Sequence, residues 1–328
     1  PVEDEPEVFG MHDNASITRD TNDTNALLST ILLTQGSTGG GSGSSSSDDI
    51  IETVATDVLA KLPEPYDMEA GMIRYPVKFE QSMNTVLAQE LLKFNRLTGV
   101  IRSSLTSVQK AVKGLIVMDA ALESLGNALI FAQIPVLWKD QGKSYPSLKP
   151  LPGYIADLIK RLAFFGNWLH NTYPKVYWLS GFFFTQAFLT GAKQNFARKF
   201  TIPIDHLDFD QDMMPEDDYD SAPEDGVYTR GLFMEGARWD KRSSIVAESI
   251  PKILFSAAPV MWFRPVEREK MRVYPNYECP LYKTGDRRGV LATTGHSSNF
   301  VCYIRMPSDE PPDHWIQRGV AMLTQLND

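Results

Sequence analysis

The stretch "YWLSGFFFTQAFLTGAKQNFARKF" runs from Tyr177 to Phe200, and its reading decides what kind of fold to expect. From Val176 to Ala192 there are 17 residues without a formal charge. A membrane span needs roughly 20 predominantly apolar residues. This run is shorter, contains Ser180, Thr185, Gln186 and Thr190, and leads into Lys193, Arg198 and Lys199. It predicts a buried amphipathic helix from about Ser180 to Phe200 and no membrane partner.

Outward from that helix, the chain divides into two textures. On the N-terminal side, Leu87, Leu91, Phe94, Leu97, Ile101, Leu105, Val108 and Val112 step by three or four. That spacing predicts a long amphipathic helix over residues 82–113, about 45 Å at 1.5 Å per residue, with Ser82 near its cap. A helix over residues 48–62 precedes it, closed by Pro63 and Pro65. Shorter ones follow over 120–131 and 152–170. Residues 48–204 therefore read as a helical module.

On the C-terminal side, short β-like runs separated by turn residues take over: "GVYTRGLFMEGARWD" (226–240), "PVMWFRPV" (259–266), "YECPLYKT" (277–284), "NFVCYIRM" (299–306) and "GVAMLTQL" (319–326). Five or six short strands at this spacing predict a small antiparallel barrel or sandwich. The fold class is thus α+β, a helical module followed by a β-barrel-like cap over residues 226–328.

Between the two, residues 205–225 hold ten acidic side chains and no Lys or Arg, against a net charge of −9 for the whole protein. The remainder is nearly neutral, without the basic stripe of a nucleic-acid binder. The acidic run reads as a connecting loop. Asp208, Asp210 and Asp212 have the spacing of a calcium loop. Its required Gly and Glu are replaced by Met213 and Tyr219, so no calcium site is expected.

Further upstream, residues 36–47, "GSTGGGSGSSSS", form a Gly/Ser linker. It has no Lys and so no phosphate-binding loop of the Walker type. Residues 1–35 carry a short apolar stripe, Ala26, Leu27, Ile31 and Leu32, too small to bury itself. With Pro1 at the start, this reads as the tail of something longer.

No catalytic constellation assembles from these residues. "TGHSSN" (294–299) begins like a nucleophile elbow at Gly295, His296 and Ser297, but Asn299 stands where Gly belongs. Cys279, Cys302, His296 and His314 lack zinc-ligand spacing, and His12, His170 and His206 are scattered. No catalytic, cofactor-binding or metal residues are assigned. The residues read as a structural or interaction module; an enzyme with an unrecognised site near His296 and Ser297 is the alternative.

Several longer stretches carry a resemblance. "PEVFGMHDNA" (6–15), "SMNTVLAQELLKFN" (82–95), "SYPSLKPL" (144–151) and "VYWLSGFFFTQAFLTGAKQNFARKFTIPID" (176–205) resemble the C-terminal region of dynein heavy chains. So do "PEDGVYTRGLFMEGARWD" (223–240), "CPLYKTGDRRGVLATTGHSSNFV" (279–301) and "HWIQRGVAMLTQLN" (314–327). The wording "WLSGFFFTQAFLTG" is closer to axonemal, ciliary members than to cytoplasmic ones.

The resemblance implies a parent protein that is an ATP-driven, minus-end-directed microtubule motor built on a ring of six AAA+ modules. ATP and Mg would bind upstream of Pro1, and this region would have no cofactor of its own. Residues 1–35 would complete the small domain of the sixth module. The implied partners are the ring in cis, microtubules through the parent motor, and other dynein subunits and axonemal proteins. The implied location is the cytoplasm and cytoskeleton, in the axoneme of a cilium or flagellum. No catalytic residue carries over. Trp178, Phe182, Phe183, Phe184 and Phe188 are expected as packing anchors beside Leu91, Phe94 and Ile101. The sequence leaves open which of the three consecutive Phe rings points deepest.

Overall fold

Helix α4 (Ser82–Val112) is the spine of the helical part, because its stripe from Leu87 to Val108 is buried along its whole length. Its N-terminus is capped by Gln81, which accepts the Met83 N–H at 3.2 Å. Ser82 serves a tertiary contact instead, bonding Gln194 and Arg198. The computed structural model describes residues 6–34, 47–139, 143–287 and 295–327. The linker over 36–47 thus lies, but for Ser47, outside the described residues.

Around α4 pack α2 (Ser47–Lys61), α3 (Met68–Arg74), α5 (Ala120–Ile130), α6 (Val136–Lys139) and α7 (Leu151–His170). α3 is short and starts at Asp67, whose carboxylate accepts the Glu69 and Ala70 N–H groups at 3.0 Å. An aspartate in that position satisfies amides that the first turn leaves without partners. The 21-residue α1 (Asn14–Thr34) stands apart. The Asn14 side chain anchors its start to the backbone of Ile250, Lys252 and Ile253 at 2.7–3.1 Å. Leu27, Leu28 and Ile31 on α1 are exposed.

The opening stretch departs from the single helix expected over 180–200. Val176–Trp178 is a strand, β1; Leu179–Gly181 is one 3-10 turn; only Thr185–Phe200 is helical, α8. Two causes break the helix, one local and one from a distant part of the sequence. The Trp178 ring lies so close to Gly181 that a Cβ there would meet it at 2.8 Å. The backbone amides of Phe183 and Phe184 are claimed by a carboxylate from α4, which fixes where α8 begins.

The strand-rich part holds β2 (Leu207–Met213), β3 (Val227–Arg230), β4 (Phe233–Glu235), β5 (Ala237–Asp240) and β6 (Ile245–Glu248). β7 (Phe255–Ala257), β8 (Met261–Glu267), β9 (Asn276–Tyr282) and β10 (Phe300–Pro307) follow, then helix α9 (Pro312–Gln317) and β11 (Ala321–Leu323). One sheet has the order β1-β3-β8-β2, a second β10-β9-β11-β4-β7, and β5-β6 is a two-stranded ribbon. The sheets are mixed, since β1 runs parallel to β3 and β11 parallel to β9.

Among the described residues the strands form no closed barrel. The two sheets meet through a side chain instead. Gln211 on β2 accepts from the Arg305 amide on β10 at 3.2 Å and donates to the Tyr303 carbonyl at 3.4 Å. The fold is α+β, and "barrel-like" describes it only loosely.

One hydrophobic core runs through both parts, from Ile51 and Phe94 to Phe263, Ile304 and Met322. β1 is the reason. A strand from the helical half completes a sheet from the other half, and α8 lies between them.

Candidate functional site

The junction between the two halves is built around two buried charged centres. The first belongs to α4 and α7. Glu90 follows Leu87 by three residues and precedes Phe94 by four, which places an acid on the buried stripe. It is 1% exposed. Its two carboxylate oxygens accept the Phe183 amide at 2.8 Å and the Phe184 amide at 2.9 Å. These amides stand at the entry to α8, where the helix dipole also favours negative charge.

Arg161 repeats the pattern on α7, between Leu158 and Phe165 and equally buried. Its Nε donates to Asp157 at 2.6 Å. Its guanidinium lies 3.8 Å from the centre of the Tyr145 ring and 5.6 Å from that of Trp178.

Burial pushes the Glu90 carboxyl up to about 7, against the lowering effect of the two amides, Arg161 and Lys93. Between its ordinary value of 4.5 and about 7, the folded state holds a proton that the unfolded state has released. Stability therefore falls as pH rises through that window and levels off above it. The expected loss is up to about 3 kcal/mol. Glu90→Gln is expected to remove that slope. Urea unfolding from pH 5 to 8 measures it, and an unchanged slope in the variant would assign the titration to another group.

The second centre corrects the reading of residues 205–225 as one connecting loop. Their first half is β2, with Asp208, Asp210 and Asp212 at alternate positions. Arginines neutralise this row. Buried Asp210 lies 3.0 Å from Arg272, 3.3 Å from Arg305 and 3.7 Å from Arg264. Asp212 reaches Arg272 at 2.7 Å, and Asp208 reaches Arg268 at 3.9 Å. The aspartates hold a sheet to its neighbours instead of lining a cation loop. Both centres had a sequence signal: a charge inside an apolar stripe, and a strict alternation in "LDFDQDM".

The aromatic residues of the opening stretch separate by depth. Phe182, Phe183 and Phe188 are buried, as are Leu91, Phe94 and Ile101. Phe182 stacks on Phe188 with centroids 4.4 Å apart, and Phe183 meets Phe94 edge-on at 4.8 Å. Trp178 is half-buried and lies against Gly231, where a Cβ would approach its ring to 2.3 Å. Phe184 is 39% exposed, with the Lys93 ammonium 5.0 Å from its ring centre. Phe184 is therefore no core anchor.

The alternative reading as an enzyme gains nothing here. His296 is exposed and lies flat on Phe300 with centroids 4.3 Å apart, while the Ser297 hydroxyl accepts the Asn299 amide at 3.1 Å. Those contacts are the ones a polar turn makes. Among the described residues, no group of three His, Cys, Asp or Glu side chains is placed to hold a metal. Burial pushes the Cys279 and Cys302 thiols well up, which disfavours the thiolate at both. No helix among the described residues is long and apolar enough to cross a membrane.

Known proteins share this sequence along its whole length. The family described as the C-terminal domain of the dynein heavy chain matches residues 21–324. The protein is 48% identical over 328 residues to human dynein axonemal heavy chain 12, with all of its own length and 10% of that relative covered. It is 50% identical over 332 residues to mouse dynein axonemal heavy chain 3, with all of its own length and 8% of that relative covered. It is 46% identical over 329 residues to human dynein axonemal heavy chain 1, with the same coverage of both. It thus spans a tenth or less of the length of these relatives. With its helical spine, its mixed sheets and this end-to-end match, the protein belongs to the family of C-terminal domains of dynein heavy chains.

Proposed function

We propose that this protein is the C-terminal structural and regulatory domain of an axonemal dynein heavy chain. In that role it packs on the AAA+ ring of an ATP-driven, minus-end-directed microtubule motor that powers a cilium or flagellum. ATP and Mg belong to the ring, upstream of residue 1. The observation that carries this reading is the 48–50% identity, from end to end, to axonemal heavy chains of which it spans a tenth or less.

Two further features support it. The Gly-rich run over 36–47 lacks the Lys of a phosphate loop, so this region supplies no such nucleotide site. Leu115, Ile116, Val117 and Met118 form an exposed apolar run between α4 and α5, and Leu27 and Leu28 of α1 are also exposed. Such surfaces fit a partner in cis. A domain without chemistry acts on a ring by favouring some of its states over others. A coupling of about 1–3 kcal/mol changes state populations by roughly 5–150-fold.

The test compares the intact parent motor with one lacking residues 47–328. The continuous core makes this a better cut than one between the helical and strand-rich parts, which would strip β3 from β1 and β8 from β2. Basal ATPase and microtubule binding are expected to remain, while gliding velocity, run length or stall force changes. Loss of ATPase in a folded, truncated ring would make the domain part of the catalytic scaffold. Unchanged motility would make it a docking surface for axonemal partners.

A further inference from the structure

The β5–β6 ribbon turns through Lys241, Arg242, Ser243 and Ser244, all exposed, and enters β6 at Ile245. Asp240 holds this turn from one side. Its carbonyl accepts the Ser244 amide at 2.8 Å, and its carboxylate accepts both the amide and the hydroxyl of Ser243. The Ser243 hydroxyl is therefore engaged. Among the described residues no hydrogen bond engages the hydroxyl of Ser244.

We propose that Ser244 is a phosphate acceptor for a basophilic Ser/Thr kinase, and that Arg272 receives the phosphoryl group. Three observations carry this. The first is local sequence: two cations stand three and two residues before the hydroxyl, and an apolar residue follows it. A kinase cleft lined by carboxylates, with an apolar pocket beyond the acceptor, reads that pattern by charge and shape. The ion pair of Lys241 with Asp217 is exposed on both sides and does not hold the lysine back.

The second is backbone. Ser244 has φ +56°, a conformation that L residues with a side chain adopt at a cost. It sits in a ribbon of only two strands. The turn stands exposed at the tip of that ribbon, where a kinase cleft can reach it.

The third is what lies beside it. Ser244 lines a cleft of about 240 Å³ together with Asp212, Arg272 and Tyr274. The Arg272 side chain is 43% exposed and is shared between Asp210 and Asp212. A phosphoryl group carries about −1.5 to −2 charges at neutral pH and three acceptor oxygens. Placed on Ser244, it competes with Asp212 for the guanidinium and repels the Asp212 carboxylate. The modification thereby reaches the charged row that joins β2 to its neighbours. In the transfer itself, the Ser244 oxygen bonds to the terminal phosphorus of a nucleoside triphosphate. The bond to the diphosphate leaving group breaks, and the hydroxyl proton passes to the kinase base.

The test treats the 328-residue protein with an arginine-directed Ser/Thr kinase and ATP, then maps the product by mass spectrometry. Label is expected on Ser244, retained in Ser243→Ala and absent in Ser244→Gly, whose residue suits the positive φ. Replacing Lys241 and Arg242 together by Ala is expected to slow labelling on the order of tenfold. In ³¹P NMR, the second ionisation of the phosphoserine is expected at lower pH in the folded protein than in a peptide spanning 238–248. Arg272→Gln is expected to abolish that difference. Label persisting in Ser244→Gly, or absent from Ser244 in the folded protein, overturns the site. An ionisation unaltered by Arg272→Gln overturns the role of the arginine.

Discussion

Phe182→Ala and Phe183→Ala are each expected to destabilise the protein by about 3–5 kcal/mol, the usual range for deleting a buried aromatic side chain. Phe184→Ala is expected to cost clearly less, about 1 kcal/mol, because its ring is only partly buried. Three neighbouring residues of one type thus give a contrast that composition cannot produce. Phe182 contacts Phe165 at 5.3 Å and Phe188 at 4.4 Å between centroids. Phe183 lies between Phe94 at 4.8 Å and Tyr145 at 5.5 Å. The two rings therefore fill different layers, one against α7 and α8, the other against α4 and the segment before α7. Neither layer can close over the gap that the other would leave. Phe184 faces solvent under Lys93. Urea unfolding of the three single variants checks this. Equal shifts in all three would mean that the segment is helical and only partly packed.

The same segment marks how far the sequence was legible. The long stripe of α4 was readable because a step of three or four residues is a local property. The α+β division and the axonemal dynein resemblance were readable too, the first from a change of periodicity and the second from long quoted stretches. The break before Thr185 was not. It is set by Glu90, 93 residues away in sequence, which takes two backbone amides that a continuous helix would have used internally. Local propensity cannot reveal a cap supplied from another helix.

The acidic run departs from a plain connecting loop for a related reason. Its aspartates look solvated until Arg264, Arg272 and Arg305, 52 to 95 residues further on, are brought beside them. The parallel pairings of β1 with β3 and of β9 with β11 are likewise non-local. Hairpin spacing predicts antiparallel neighbours, and so the sequence points to a simpler antiparallel barrel or sandwich. α3 has only a faint local signal. Asp67 stands two residues after Pro65, at the start of a seven-residue helix too short to show a full apolar stripe.

Arg161→Met is the second large expected effect, a loss of about 3–5 kcal/mol, the range for removing one partner of a buried ion pair. Met has nearly the volume of the arginine stem and keeps much of its packing, so the loss isolates charge. Asp157, with its side chain 12% exposed, loses the Nε–H donor 2.6 Å away. Glu90 loses the first of the two cations that hold its carboxyl down. Tyr145 loses the guanidinium lying 3.8 Å over its ring. Adding Asp157→Asn is expected to recover part of the loss, because a neutral amide needs no counter-charge in that site. Arg161→Lys is not expected to rescue fully. A lysine ammonium is a compact, strongly hydrated charge that cannot lie flat on Tyr145 while donating sideways to Asp157. Denaturant midpoints of the two single variants and the double variant decide the matter. A loss below about 1 kcal/mol for Arg161→Met would place it among exposed ion pairs and mean that water reaches the site. The junction would then be held by its aromatic layers alone. A full loss would make this buried cation the link by which the start of α8, the C-terminal end of β1 and the α7 core keep one geometry.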